Sequence, residues 1–153
     1  MRMRLFLATI LVGSIVLSGC GTSDTSPTGP SASNLTGTWS GDFAVQGTTA
    51  RMTWTLTQAS GSSTVAGPII LVLPSGTVLL NGALSGTLAG SALTFVITVG
   101  PGGIPSQPAC TGQIGGSAAA TIGTTSTLAG NVSVVTSSCT APVQNGPFTL
   151  TKS

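Results

Sequence analysis

Three features of the sequence predict an all-β protein. Helix formers such as Glu and Lys are scarce, and no window holds a 3.6-residue apolar period over the length of a helix. Several windows instead alternate apolar and polar residues with a period of two, bounded by Gly, Pro or Ser. The connections between most of these windows are a few residues long, which favours neighbouring antiparallel strands. The expected architecture is a small antiparallel up-and-down β-barrel of about eight strands, with a two-sheet β-sandwich as the alternative. Residues 35–153 are enough for one such domain with a real core.

The first strand carries Leu35, Gly37, Trp39, Gly41, Phe43 and Val45 on one face and Thr36, Thr38, Ser40 and Asp42 on the other. The second, over residues 51–58, turns Met52, Trp54 and Leu56 inward and three threonines outward. A third spans 64–73, and Pro74, Ser75 and Gly76 supply turn chemistry after it. The fourth places Val78, Leu80, Leu84 and Leu88 on one face, and the fifth Leu93, Phe95, Ile97 and Val99. A Gly/Pro-rich loop occupies 100–108. The sixth strand is expected to hold Cys110, Ile114 and Ile122 inward, the seventh Leu128, Val132 and Val134, and the short eighth Phe148 and Leu150. Trp39, Trp54, Phe43 and Phe95 are the inward residues that would either fill the interior or line a ligand cavity.

One pattern recurs: an apolar residue, Gly two positions on, and another apolar residue two further. It occurs as Leu35-Gly37-Trp39, Val65-Gly67-Ile69, Leu80-Gly82-Leu84, Cys110-Gly112-Ile114 and Leu128-Gly130-Val132. Glycine on the inward face of a strand implies a bend or close packing beneath a bulky neighbour. A second irregularity is the unbroken apolar run from Ile69 to Leu73, facing Val78, Leu79 and Leu80. A strand turns only alternate side chains inward. Part of this run, and Leu79, are therefore expected to point outward, either as an exposed patch or beneath a cover such as the 100–108 loop.

The opening Leu35-Thr36-Gly37-Thr38-Trp39 resembles the first strand of the calycin barrels, the lipocalin and avidin group, in which a Gly-x-Trp closes one barrel end. The match covers about five residues. It implies a barrel and, as one option, a carrier holding a small apolar ligand. The chain has no Tyr, and the polar residues with which avidins hold biotin have no counterpart here, so biotin binding is not carried over.

The N-terminus is of a different kind. Arg2 and Arg4 precede an apolar stretch over residues 5–17, and Leu17-Ser18-Gly19-Cys20 closes it. The apolar stretch makes about 20 Å of helix, short of a bilayer core of about 30 Å. A cysteine directly after Leu-Ser-Gly resembles the processing box of bacterial lipoproteins. That resemblance implies removal of residues 1–19, lipidation of Cys20 and attachment to a membrane through its acyl chains, each worth about 0.8 kcal/mol per buried CH₂. Residues 20–34 then form the lipidated cysteine and a flexible tether, since 21–34 hold no large apolar side chain. In proteobacterial lipoproteins an Asp after the cysteine favours inner-membrane retention. Gly21 and Thr22 stand here, which points to the outer membrane. The whole domain is also similar to small Gly/Thr-rich bacterial lipoproteins, a likeness that implies no activity.

Charge divides the chain in the same way. The net +2 comes from Arg2 and Arg4, and Asp24, Asp42, Arg51 and Lys152 cancel. So neutral a chain has no electrostatic footprint for nucleic acid. Of the other cysteines, Cys110 and Cys139 come within a residue or two of facing each other if strands six and seven form a hairpin turning near 123–126. In an oxidising compartment this predicts a disulfide. Two free thiols or a metal pair is the poorer alternative, because metal sites need more ligands and there is no His.

An inventory of side chains argues against an enzyme or a cofactor. The folded part offers one carboxylate, Asp42, so paired-carboxylate chemistry lacks its second member. The Ser and Thr hydroxyls have no base to activate them. Asp42 and Arg51 face outward on neighbouring strands, and one register sets them diagonally across, as a solvated pair or as a ligand grip. The expectation is a non-enzymatic, lipid-anchored envelope module that meets a protein partner through its surface. The alternative is the carrier of a small apolar ligand.

Overall fold

A computed structural model describes residues 33–140 and 144–153. The signal segment, Cys20 and the tether up to residue 32 lie outside the described residues. Eight strands run in order: β1 (Gly37–Val45), β2 (Thr48–Leu56), β3 (Thr64–Val72), β4 (Val78–Ala89), β5 (Ala92–Val99), β6 (Gly112–Thr121), β7 (Thr127–Ser137) and β8 (Gly146–Lys152). Each pairs antiparallel with the next, and β8 returns to β1 through Trp39 opposite Lys152, closing an up-and-down barrel.

Period-2 alternation sets which side of the wall each residue takes. On β5, Leu93, Phe95, Ile97 and Val99 are buried while Ala92, Thr94, Val96 and Thr98 are exposed. On β2 the inward set is Ala50, Met52, Trp54 and Leu56. The outward set around the barrel is dominated by Thr, Ser and Ala, the reverse of a wall that faces lipid. No buried side chain among the described residues is polar or charged. Apolar burial, at about 1.5–3 kcal/mol for each large side chain, therefore outweighs surface charge pairs worth at most about 1 kcal/mol.

All five repeats of the glycine pattern hold. In each, a half-buried Gly lies between two buried residues on the inward face. Gly116 shows what such a position permits. A methyl group there would sit 2.6 Å from Phe95 Cζ, so the absent side chain is what admits the ring.

Two bulges shift the expected pattern. Leu71 pairs with Leu80 and Val72 with Val78, leaving Leu79 as the extra residue, packed against the core. Ile114 pairs with Val134 and Gln113 with Thr136, leaving Val135 unpaired and 60% exposed. A bulge opposes two residues to one and breaks strict alternation. Val134, the last residue before this bulge, keeps the inward parity of Leu128 and Val132 and is half-buried near Leu80, Val99 and Ile114. Ile122 is corrected: β6 ends at Thr121, and Ile122 stands 46% exposed in the turn beyond it. Cys110 is buried as expected but precedes β6. In the apolar run, Ile69 and Leu71 face inward while Ile70, Val72 and Leu73 are half-buried.

The two ends of the barrel differ. At the terminal end the described chain begins and finishes, with Ser153 N–H donating to Thr38 O at 2.9 Å. The connections of residues 57–63, 90–91 and 122–126 share this end. The opposite, bridged end carries 46–47, 73–77, 100–111 and 138–140.

Candidate functional site

Three places stand out in the sequence: the aromatic interior, the cysteine pair and the Asp42–Arg51 hairpin.

The interior is built by strands from all sides. Trp54 of β2, Phe95 of β5 and Phe148 of β8 converge, with ring centroids 5.0 Å apart for Trp54–Phe95, 4.9 Å for Trp54–Phe148 and 6.0 Å for Phe95–Phe148. These are tilted and edge-on arrangements that rings prefer. Trp54 Nε1–H finds no acceptor among the described residues. Phe43 is buried near the bridged end and reaches toward Gly146, its ring 3.8 Å from where a methyl group on that glycine would lie. Trp39 lies at the terminal end, fully buried, and its Nε1–H donates to Leu35 O at 2.8 Å. Lys152 Nζ stands 5.4 Å from the Trp39 ring centroid, within cation–π range. The four aromatic candidates therefore act as core. They do not line one common cavity.

The bridged end is closed by the 100–111 loop. Ile104 is buried at 2% exposure, plugging the mouth over Leu80, Val99 and Ile114. Asn81 N–H donates to Gly103 O at 2.7 Å and ties the loop to β4. Sequence reasoning misses Ile104. Its signal is present, because it is the one large apolar residue in an otherwise Gly/Pro-rich segment.

Cys110 and Cys139 are disulfide-bonded, with Cα atoms 5.6 Å apart. The β6–β7 ladder leads to this pairing. Gly112 faces Ser137, Ser138 N–H donates to Thr111 O at 2.9 Å, and the next residues outward are the two cysteines. Gln107 Nε2–H adds a bond to Thr140 O at 2.7 Å. Loop and hairpin end are thus held covalently and by hydrogen bonds.

Asp42 and Arg51 are direct cross-strand partners, where a diagonal placement was one expectation. They do not form an ion pair at 4.0 Å or less. Arg51 instead donates to Ser40 Oγ at 2.6 Å. Among the described residues no cluster of three or more His, Cys, Asp or Glu side chains is present to hold a metal.

No family model, curated protein or solved structure matches the chain.

Proposed function

We propose that the chain is a lipid-anchored module of the bacterial cell envelope, non-enzymatic, with a structural or interaction role exercised through its outer surface. The observation that carries this reading is Leu17-Ser18-Gly19-Cys20 at the end of an Arg-led apolar segment, with a polar tether after it. Gly21 and Thr22 after the cysteine favour the outer membrane in a source that has one.

The barrel supports the surface role. Its interior holds large buried side chains, Trp39, Phe43, Trp54, Phe95 and Phe148 among them, while a carrier needs a cavity of about 300 Å³ or more. The packed core thus weighs against the carrier of an apolar ligand. The described chain starts beside Ser153, so a tether from Cys20 suspends the barrel by its terminal end. The bridged end, rich in Gly, Pro and Ser, then faces away from the membrane toward an envelope protein partner.

Cys20→Ala tests this. In cells fed a radiolabelled fatty acid, the variant is expected to lose all label and to accumulate at unprocessed length. A variant that still partitions with membranes at mature length contradicts the proposal.

A further inference from the structure

Lipid anchoring puts a bilayer beside the barrel, and the terminal end carries groups that suit one. Among the described residues three large apolar side chains are exposed: Val96 at 39%, Ile122 at 46% and Val135 at 60%. Val96 lies within β5 and Val135 within β7, on the outer wall. Ile122 alone stands at an end, first in the turn that joins β6 to β7. Gly123, Thr124, Thr125 and Ser126 complete that turn, all exposed and uncharged. Ser126 Oγ closes it by accepting from Gly123 N–H at 3.3 Å.

A cation stands beside this turn. Thr151 pairs with Thr127, and Lys152 N–H donates to Ser126 O at 3.0 Å, so the end of β8 runs alongside it. The charged side chains among the described residues are Asp42, Arg51 and Lys152. Asp42 and Arg51 face each other on the β1–β2 hairpin toward the bridged end, which leaves Lys152 as the lone charged side chain at the terminal end. Lys152 is half-buried over Trp39, and an ammonium group has three N–H donors to offer a headgroup.

The described chain also starts at this end. Leu35 N–H donates to Gln58 Oε1 at 2.9 Å, which sets that start beside the 57–63 connection. Residues 21–32, even fully extended, span at most about 40 Å. A lipidated Cys20 therefore keeps the terminal end near the bilayer.

We propose that the β6–β7 turn rests in the headgroup region of the bilayer that holds the anchor, with Ile122 inserted toward the acyl chains and Lys152 on an anionic headgroup. This inference rests on the anchoring proposal. About half of Ile122 is already covered, so its insertion is worth about fivefold in population. One Lys at an anionic surface is worth a similar factor, about fivefold. Neither holds a free barrel on lipid. The tether raises the effective concentration of the turn at the surface, so weak contacts decide which part of the barrel touches it.

The test uses the lipidated full chain, ¹⁵N-labelled, in nanodiscs of phosphatidylcholine and phosphatidylglycerol doped with a gadolinium-chelating lipid. Broadening of each amide signal reads its distance from the headgroups. A tether acting alone brings the 57–63 connection nearest the lipid, because the described chain starts beside it. The amides of Ile122, Gly123 and Thr124 are expected instead to broaden at least about twofold more than those of Gln58, Gly61 and Ser62. Ile122→Ser is expected to abolish this excess, and discs of phosphatidylcholine alone are expected to reduce it. If the variant fails to fold, the two turns of the unaltered chain in the two kinds of disc decide alone. Equal broadening of the two turns overturns the proposal. So does an excess that survives Ile122→Ser or is the same in both discs. Mass spectrometry separates the two readings. A chain without an acyl mass on Cys20 overturns the anchoring proposal and this inference with it, whereas an acylated chain with equal broadening overturns this inference alone.

Discussion

The two ends of the barrel close by different means. At the terminal end the strands carry their own seal. Trp39 points inward from β1, its N–H is satisfied by Leu35 O, and Lys152 from β8 covers the ring. Gln58 completes this end, accepting from Leu35 N–H at 2.9 Å and donating to Ser62 O at 2.7 Å. At the bridged end the covering segment has one large apolar residue, Ile104, among glycines and prolines. Burying one side chain, about 1.5–3 kcal/mol, does not offset an ordering cost of roughly 1–2 kcal/mol for each residue of the loop. The hydrogen bonds to Asn81 and Thr140 and the Cys110–Cys139 bond supply what burial lacks. An end rich in apolar side chains closes by packing, and a poor one closes by cross-linking.

Variants at each end can break this contrast. The largest effect is expected from Trp39→Ala, which empties the terminal seal and leaves the Leu35 carbonyl unpaired. A loss of about 3–5 kcal/mol is expected in urea unfolding, enough to unfold a marginal domain. Replacing both Cys110 and Cys139 by Ala comes next. The cysteines are 29 residues apart in sequence, and a loop of that length gives a loss of about 3–4 kcal/mol on the loop-entropy view. A loss near zero would mean that Ile104 and the hydrogen bonds hold the loop unaided.

The smallest effect is expected from Trp54→Phe. This removes apolar area but also an indole N–H that lacks an acceptor among the described residues, and an unpaired buried donor costs about 1–3 kcal/mol. The two terms oppose, so stability is expected to stay within about 1 kcal/mol of the unaltered chain. Trp39→Phe has no such compensation, since its N–H is bonded, and should cost clearly more in the same unfolding measurement.

Much of this contrast is legible in residues. Strict alternation identifies the inward faces of β2 and β5. The Gly-centred repeats mark inward positions because glycine is placed where a neighbouring strand comes close, as the Thr55 carbonyl of β2 does at Gly67. The bond between Cys110 and Cys139 follows from the register of one hairpin. The two bulges are not legible. An extra residue at Leu79 or Val135 needs no special residue type, and it switches the face taken by the residues beyond it. Ile122 misleads for a related reason: it keeps the parity of Ile114 while the strand has already ended. Cys20, on which the anchoring proposal rests, lies outside the described residues.

The most direct measurement of the contrast is amide hydrogen exchange on the intact chain, with the disulfide oxidised and then reduced. Reduction is expected to speed exchange at the bridged end, at the amides of Asn81, Gly102, Gly103, Cys110 and Ser138, all hydrogen-bonded there. The amides of Leu35, Lys152 and Ser153 at the terminal end should keep their protection. Equal loss at both ends, or unchanged protection at the bridged end, would contradict the claim that one end is held by packing and the other by its cross-link.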